Sequence, residues 1–310
     1  MTSKKSKTAK GSTKRKAAGK AAKSSKSAGK SKAAANMTTR GAMSIAANTR
    51  KSVDERVAAL SEAPGAVCES DKNLQTMLTL VLNQDEPATV RLAALRALQA
   101  ASFSAIAFES CRPDYIAALR KLVDDPHLEL RQRALGILAR EKDGYAQKKL
   151  LEGLQKPDKA LLPPEKALQL LSNDVHAEAY SAAREIVKDP PSDTARREAL
   201  RLLAADATAA PMFEKILRDK DELAEIRQIS ASALQSLKPE KLQEHAREIV
   251  LDPSEYDEIQ ATSLTALAQF GDEEAIAKDE ALLKSVSRIS DKASAKSKQN
   301  ARRFLSKYSG

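Results

Sequence analysis

The run Leu122-Val123-Asp124-Asp125-Pro126, followed by Arg131-Gln132-Arg133-Ala134-Leu135, decides the fold of this chain. It joins an apolar helix end to an acidic turn closed by proline, and then to a basic residue with apolar residues at helical spacing. Further copies of the two parts are Ile186-Val187-Lys188-Asp189-Pro190 with Arg196-Arg197-Glu198-Ala199-Leu200, and Ile249-Val250-Leu251-Asp252-Pro253 with Gln260-Ala261-Thr262-Ser263-Leu264. Recurrence of one pattern indicates a stacked repeat protein.

The period is measured from the basic or amide residue that opens each second helix, which we call the anchor. The anchors are Arg91, Arg131, Arg196, Arg227 and Gln260, with Pro164 in a degenerate copy. Successive anchors lie 31 to 40 residues apart, which suits a unit of two helices. Apolar or small residues recur three or four and seven places after the anchors: Ala94, Leu95, Leu98, Ala134, Leu135, Leu138, Leu168, Leu171, Ala199, Leu200, Leu203, Ala231, Leu234, Ser263, Leu264 and Leu267. This spacing predicts one apolar helix face.

The helix before each acidic turn carries a matching stripe. Its members in the first two copies are Leu78, Val81 and Leu82, then Ile116, Leu119, Leu122 and Val123. Because an isolated pair of such helices cannot bury both stripes, we predict hairpins that stack on one another. Proline ends the first helix of each pair, and we expect the Asp before Pro126, Pro190 and Pro253 to cap the next helix.

With its acidic turn, following Arg and Ala-Leu pair, the chain resembles the HEAT-repeat family. The resemblance covers about Val53 to Leu305 and is weakest at 140–175, where Gly153 and several prolines interrupt the pattern. It implies an all-α fold, an α-α superhelix or solenoid of about six to seven helical hairpins, whose second helices line a concave face. In that family the turn Asp and the helix Arg often form a ladder between repeats. The resemblance therefore implies structural roles for Arg91, Arg131, Arg196 and Arg227.

Charge is segregated along the chain. Residues 1–51 contain twelve Lys, three Arg and no acid, a charge of +15, and residues 284–310 carry +7. Since the whole chain carries +10, the part between them carries −12. Residues 1–50, rich in Lys, Ala and Ser, cannot offset the entropy of ordering, so we predict a disordered basic arm. Residues 51–310 are predicted to form the solenoid, and its last helix, Ser297–Tyr308, to be a basic cap.

The arm resembles the tails of linker histones and bacterial nucleoid proteins in composition alone. Its candidate residues for binding a polyanion are Lys4, Lys5, Lys7, Lys10, Lys14, Arg15, Lys16, Lys20, Lys23, Lys26, Lys30 and Lys32. Three interpretations stay open: a nucleic-acid binder, a contact for an anionic membrane or acidic protein, and a solubilising tail. No aromatic residue lies among the lysines, so the arm has no side chain on which bases could stack.

The sequence offers no convergent catalytic group. His127, His176 and His245 lie in different repeats, and the two His-x-Glu runs lack the Pro-Cys-x-x-Cys of zinc deaminases. Cys68 and Cys111 are too few for a thiolate zinc site or a disulfide framework, so we interpret them as a small buried residue and a helix-end residue. We predict no catalytic residue, no metal site and no cofactor.

The sequence therefore predicts a non-enzymatic scaffold or adaptor that holds a protein partner in its concave groove, with nucleic acid or another polyanion bound by the arm. The alternatives are a HEAT-like DNA glycosylase, which needs aromatic residues in a basic cleft, and a protein like the HEAT-type phycobilin lyases. Arg96, Arg133 and Arg201 could form a basic ridge on the concave face, although a mixed solvated face is favoured. With no signal peptide or apolar span, we expect a cytoplasmic protein, with a nucleoid or nuclear location as alternatives.

Overall fold

The structure is a computed structural model that describes residues 39–174 and 177–308. Every regular element in these two ranges is helical. The α-helices are α1 (Thr39–Ala47), α2 (Val53–Ser61), α3 (Asp71–Leu82), α4 (Ala88–Ala101), α5 (Ala105–Phe108), α6 (Arg112–Leu122), α7 (Leu128–Arg140), α8 (Gly144–Gln155), α9 (Pro164–Leu171), α10 (Ala177–Lys188), α11 (Asp193–Leu203), α12 (Ala210–Arg218), α13 (Ala224–Leu237), α14 (Pro239–Leu251), α15 (Asp257–Phe270), α16 (Glu273–Ala277), α17 (Glu280–Lys292) and α18 (Ala295–Tyr308). Short 3₁₀ turns lie at Pro64–Ala66, Glu109–Cys111, Pro157–Lys159 and Ala207–Ala209.

The longer helices form eight hairpins within the described ranges: α1/α2, α3/α4, α6/α7, α8/α9, α10/α11, α12/α13, α14/α15 and α17/α18. The second helix of each hairpin packs on the second helix of the next, and several first helices do the same. The prediction of an all-α stack of hairpins is confirmed. The chain is a HEAT-repeat-like helical protein. We predicted about six to seven hairpins, and the hairpins that no predicted anchor marks, α1/α2 and α17/α18, lie at the two ends of the stack.

The apolar stripes supply the core between hairpins. All the predicted stripe residues that follow the anchors are buried, including Ser263. Leu135 and Leu200, for example, are fully buried. Burying one such leucine is worth about 1.5–3 kcal/mol, so each hairpin is stabilised mainly by its contacts with its neighbours.

α1 falls within residues 1–50, where we predicted a disordered arm, and it packs on α2 and α3. The prediction is therefore wrong for Thr39–Ala47, because Ala42, Met43 and Ala46 of this helix are buried in the stack. At the other end, Ala301 and Phe304 of α18 are buried, while Arg302 and Arg303 are exposed. The arm lysines between Lys4 and Lys32 lie outside the described residues.

The expected caps at the acidic turns are wrong. The carboxylate of Asp125 accepts a hydrogen bond from the His127 amide within the turn, and no side chain caps α7. At the start of α11 the cap is Ser192, whose Oγ accepts from the amide of Ala195. The proline after each Asp extends the turn, so the Asp lies too far before the helix to cap it.

The interpretation of the cysteines also needs correction. Cys68 follows the turn after α2, and Cys111 lies just before α6. Stacking of the first hairpins brings their Cα atoms to 6.4 Å, and the two residues form a disulfide across 43 residues of chain. Linear spacing could not show this contact, because it arises between repeats.

Among residues 39–174 and 177–308, no helix combines the length and the apolar character needed to cross a lipid bilayer.

Candidate functional site

Arginine anchors link successive hairpins in a repeated geometry. The guanidinium Nε of Arg56, Arg91 and Arg227 donates to a carbonyl near the end of the first helix in the same hairpin, at 2.9, 3.0 and 2.9 Å. The rest of each guanidinium reaches a carboxylate in the turn of the following hairpin. We call each such arginine–carboxylate pair a rung.

Four rungs are present in the described chain: Arg56–Glu86, Arg91–Asp125, Arg196–Glu222 and Arg227–Glu255. Arg227 contacts both carboxylate oxygens of Glu255, at 2.8 and 2.6 Å. These contacts confirm the ladder implied for Arg91, Arg196 and Arg227. Arg56 is an anchor that the sequence pattern missed, because no acidic Asp-Pro turn precedes it.

Two of the rungs, those of Glu222 and Glu255, favour the charged form of their carboxylates. Hydrogen bonds from Arg196 lower the pKa of Glu222 below its usual value, although burial acts in the opposite direction. Burial would raise the pKa of Glu255, but hydrogen bonds from Arg227 and Lys220 outweigh it and the net pKa is lowered. The ladder is therefore a set of fixed ion pairs that lie between hairpins.

The ladder is interrupted at the α8/α9 hairpin. Arg131 forms no ion pair within the described chain; its Nε donates to the carbonyl of Leu161 at 3.2 Å and its Nη1 to the carbonyl of Asp125 at 2.8 Å. Pro164 stands where the next anchor would be. Pro191 lies five residues before Arg196, the position that holds the rung acid before Arg91, Arg227 and Gln260. Two consecutive rungs are thus missing.

A cavity of about 920 Å³ lies at this interruption. Its walls come from the start of α7, the end of α8, the connection to α9 and the outer side of α10. Most of the wall is apolar, with Leu128, Leu154, Leu161, Leu162, Ile186 and prolines that include Pro164 and Pro191. Arg131, Glu185 and Asp189 are its ionisable residues. We call this space the gap cavity.

Gly153 shapes the wall that α8 contributes to the gap cavity. A Cβ atom at this position would lie 3.0 Å from the Cα of Ala160, which is closer than side chains normally pack. The connection between α8 and α9 can therefore approach the helix only because residue 153 is glycine. Gly153 and the prolines weakened the repeat pattern in the sequence, and the same residues build the cavity.

The possible basic ridge on the second helices is neutralised by acids. Arg96 and Arg133 both contact Glu129, at 3.4 and 3.2 Å. Arg201 contacts Glu198 at 2.5 Å and Glu225 at 3.4 Å. This surface is a mixed solvated face, as favoured from the sequence, and its charges already have partners.

One group of metal-capable side chains lies together in the described chain, formed by Glu214, Glu244 and His245. His245 Nε2 is 2.7 Å from Glu214 Oε1, and this hydrogen bond lowers the pKa of Glu214. Glu244 is also paired with Lys241 at 2.9 Å. We interpret the group as an ion-pair cluster that links α12 to α14. Linear spacing could not bring its members together, since they lie on first helices of successive hairpins.

Of the two remaining histidine candidates, His127 lies in the described chain. His127 has a buried Nδ1 without a hydrogen-bond partner and belongs to no metal-capable group in the described chain. His176 lies outside the described residues, as do the arm residues from Lys4 to Lys32. The gap cavity is therefore the candidate site that the described structure supports best.

Comparison with known proteins gives distant structural likenesses. No protein-family model matches the chain, and no curated protein matches it significantly. The CpcE–CpcF complex of phycocyanin lyase from Nostoc sp. PCC7120 is similar with a TM-score of 0.41 at 14% identity, covering 85% of this chain and 98% of that one. Human deoxyhypusine hydroxylase is similar with a TM-score of 0.34 at 15% identity, covering 79% and 98%. Neither likeness carries an argument about activity or partner.

Proposed function

We propose that this chain is a non-enzymatic HEAT-like adaptor that holds a protein partner, and that its basic arm adds affinity for nucleic acid or another polyanion. The observation that carries the proposal is the gap cavity, a large apolar recess at an interruption in an otherwise regular stack. Recesses of this kind, with a few polar groups on apolar walls, are typical of binding sites. The sequence suggested a concave groove on the second helices, and we propose instead that the partner docks at the gap cavity, between α7 and α10.

The composition of the cavity wall favours binding over chemistry on a DNA base. A glycosylase-type site needs an acid and an aromatic residue in a basic cleft. Glu185 and Asp189 are acids of the gap cavity, but none of the residues that line it is Phe or Tyr. A flipped base would therefore have no ring on which to stack there. This observation supports the adaptor proposal.

A photo-crosslinker at Ser181, which lines the gap cavity, tests the partner part of the proposal. The matched control places the same crosslinker at Gln132, an exposed residue of the second-helix face. We expect one defined protein adduct in cell extract from position 181 and none from position 132. Equal labelling at both positions, or no adduct at either, would contradict a partner that docks at the cavity.

The arm is tested by the anisotropy of labelled duplex DNA over a salt series, with the full chain and with a chain that lacks residues 1–38. If the arm neutralises about ten phosphates, the slope of log affinity against log salt is about −9. We expect this slope to disappear with the arm. The same affinity and slope for both chains would exclude a binding role for the arm.

A further inference from the structure

The interrupted ladder leaves one anchor arginine without an acid. In the described chain the guanidiniums of Arg56, Arg91, Arg196 and Arg227 each contact a carboxylate. Arg131 contacts two backbone carbonyls instead, and among residues 39–174 and 177–308 its Nη2 has no hydrogen-bond partner. Arg131 is half-buried and lines the gap cavity. A guanidinium without a carboxylate, beside an apolar recess, is a site for an acid attached to aliphatic groups.

The rest of the cavity limits what kind of acid can enter. Glu185 and Asp189 also line the cavity and form no ion pair in the described chain. Their negative charges disfavour a polyanion, such as nucleic acid, more strongly than a ligand whose single charge is paired with Arg131. Leucine, isoleucine and proline walls require aliphatic groups on both sides of the acid. The site therefore suits a segment with a single acid among apolar residues.

We infer that the gap cavity binds a protein segment in which one Glu or Asp stands among aliphatic residues, and that this acid completes the missing rung on Arg131. The inference rests on the proposed adaptor function and names the chemistry of its partner. The rungs within the chain supply the precedent for a carboxylate on an anchor guanidinium, as in the pair of Glu255 with Arg227. Each rung acid has a second acid within three residues, so the single acid follows from the lining of the gap cavity and not from this precedent. The arm is not the occupant, because residues 1–51 contain no Asp or Glu.

The test uses the full chain and a fluorescent peptide that copies residues 249–256 with Asp252→Asn, so that Glu255 is its single acid, together with the same peptide that also carries Glu255→Gln. In the folded chain the acid position beside Arg227 is already filled by its own Glu255, so added peptide has Arg131 as its free anchor. We expect the Glu peptide to bind about tenfold more tightly than the Gln peptide by anisotropy. DNA added at low salt should not displace it.

Variants of the chain separate the specific contact from a folding defect. Arg131→Gln should lower the affinity for the Glu peptide about tenfold and abolish the preference for Glu over Gln. The matched control is Arg140→Gln, because Arg140 is an exposed arginine at the other end of α7 with no ion pair in the described chain. This control should bind both peptides as the unchanged chain does.

Several outcomes would overturn the inference. They are no peptide binding at millimolar concentration, equal binding of the Glu and Gln peptides, and equal losses in the Arg131→Gln and Arg140→Gln variants. Arg131-dependent binding of laurate, with no binding of peptide, would show that the occupant is a lipid-like carboxylate instead. These failures are distinct from failure of the adaptor proposal, since crosslinking from Ser181 and DNA binding by the arm are measured without the peptide.

Discussion

The buried rung between Arg227 and Glu255 is the clearest case of what single residues contribute to this fold. Both side chains are almost fully buried, with 2% and 0% of their surface exposed. The pair joins two hairpins, and its guanidinium also satisfies the carbonyl of Leu217. Charges removed from water to this degree are tolerated only with complete partners. Removing one partner therefore has a larger effect than removing both.

We predict that Arg227→Met destabilises the chain by about 1–3 kcal/mol, because buried Glu255 loses two hydrogen bonds and keeps Lys220 as its remaining cationic partner. The double variant Arg227→Met/Glu255→Met should recover most of this loss. Urea unfolding followed by circular dichroism measures both. Arg201→Met is the control, since Arg201 is half exposed and its removal should cost about 1 kcal/mol or less. A double variant as unstable as the single one would contradict the explanation.

The rungs also predict a loss of stability in acid. Glu222 and Glu255 have folded-state pKa values below the ordinary value of 4.5. Their contribution to stability is therefore present above the unfolded-state pKa and is lost as the pH falls through the folded-state pKa. We expect the free energy of unfolding to change little between about pH 7 and pH 5 and to fall below about pH 4.5.

Arg196→Gln is the variant that tests this origin, because Glu222 then loses the hydrogen bonds that lower its pKa. The decline of stability below about pH 4.5 should become shallower in this variant, as measured by urea unfolding over a pH series. A decline of the same steepness would mean that groups other than Glu222 cause it.

Single residues were also the level at which the sequence was most informative. The anchors Arg91, Arg196 and Arg227 were predictable, because each follows an acidic turn and opens an apolar stripe. Their carboxylate partners were harder to predict, because Glu222 and Glu255 lie in turns about 30 residues after the arginines. The Asp-Pro motif also pointed to Asp189 and Asp252 as the turn acids instead. The spacing of residues along one helix can be read from the local sequence, whereas a rung depends on how two hairpins stack.

At the scale of elements, α8 and its connection to α9 differ from the rest of the stack. The sequence pattern weakened at 140–175, and the structure shows the reason: prolines replace an anchor and a rung acid, and a glycine lets the connection approach the helix. The interruption itself could be read from the sequence. The cavity could not be predicted from the sequence, because it depends on the distance between α7 and α10 when the rungs are absent.

Two glycines in α8 provide a matched test of this packing. A Cβ at Gly153 would meet the backbone of Ala160, so Gly153→Ala should destabilise the chain by about 1–3 kcal/mol and reshape the gap cavity. A Cβ at Gly144 would meet nothing within 4 Å, so Gly144→Ala should be neutral or stabilising by up to about 1 kcal/mol. Thermal unfolding of both variants gives the comparison. Equal effects would contradict the close approach of the connection to α8.

At the scale of the whole molecule, stability is shared between neighbouring hairpins. The core runs along the stack as contacts between consecutive second helices, without a single centre. A defect in one hairpin therefore removes packing surface from those on either side. The number of hairpins was underestimated from the sequence, because no acidic Asp-Pro turn marks α1/α2 or α17/α18.

Leu135→Asp should show how far such a defect spreads. Leu135 is fully buried in α7, and a charge there should cost more than about 4 kcal/mol. We expect faster hydrogen exchange in α4 and α9 as well as in α6 and α7, while α15 to α18 keep their protection. Gln132→Asp, an exposed position of α7, is the control and should leave exchange unchanged. Loss of protection in α6 and α7 alone would contradict shared stability.

The two missing rungs also have a mechanical consequence. A chain pulled from its ends transmits the load through the contacts between hairpins, and both junctions of the α8/α9 hairpin lack a rung, although the pairs Arg120–Asp143 and Lys149–Asp124 cross the first of them. Under tension the stack should part there first, into an N-terminal block ending with α7 and a C-terminal block beginning with α10. A segment bound in the gap cavity would span that weak joint, so the binding partner would also set the extension at which the molecule yields.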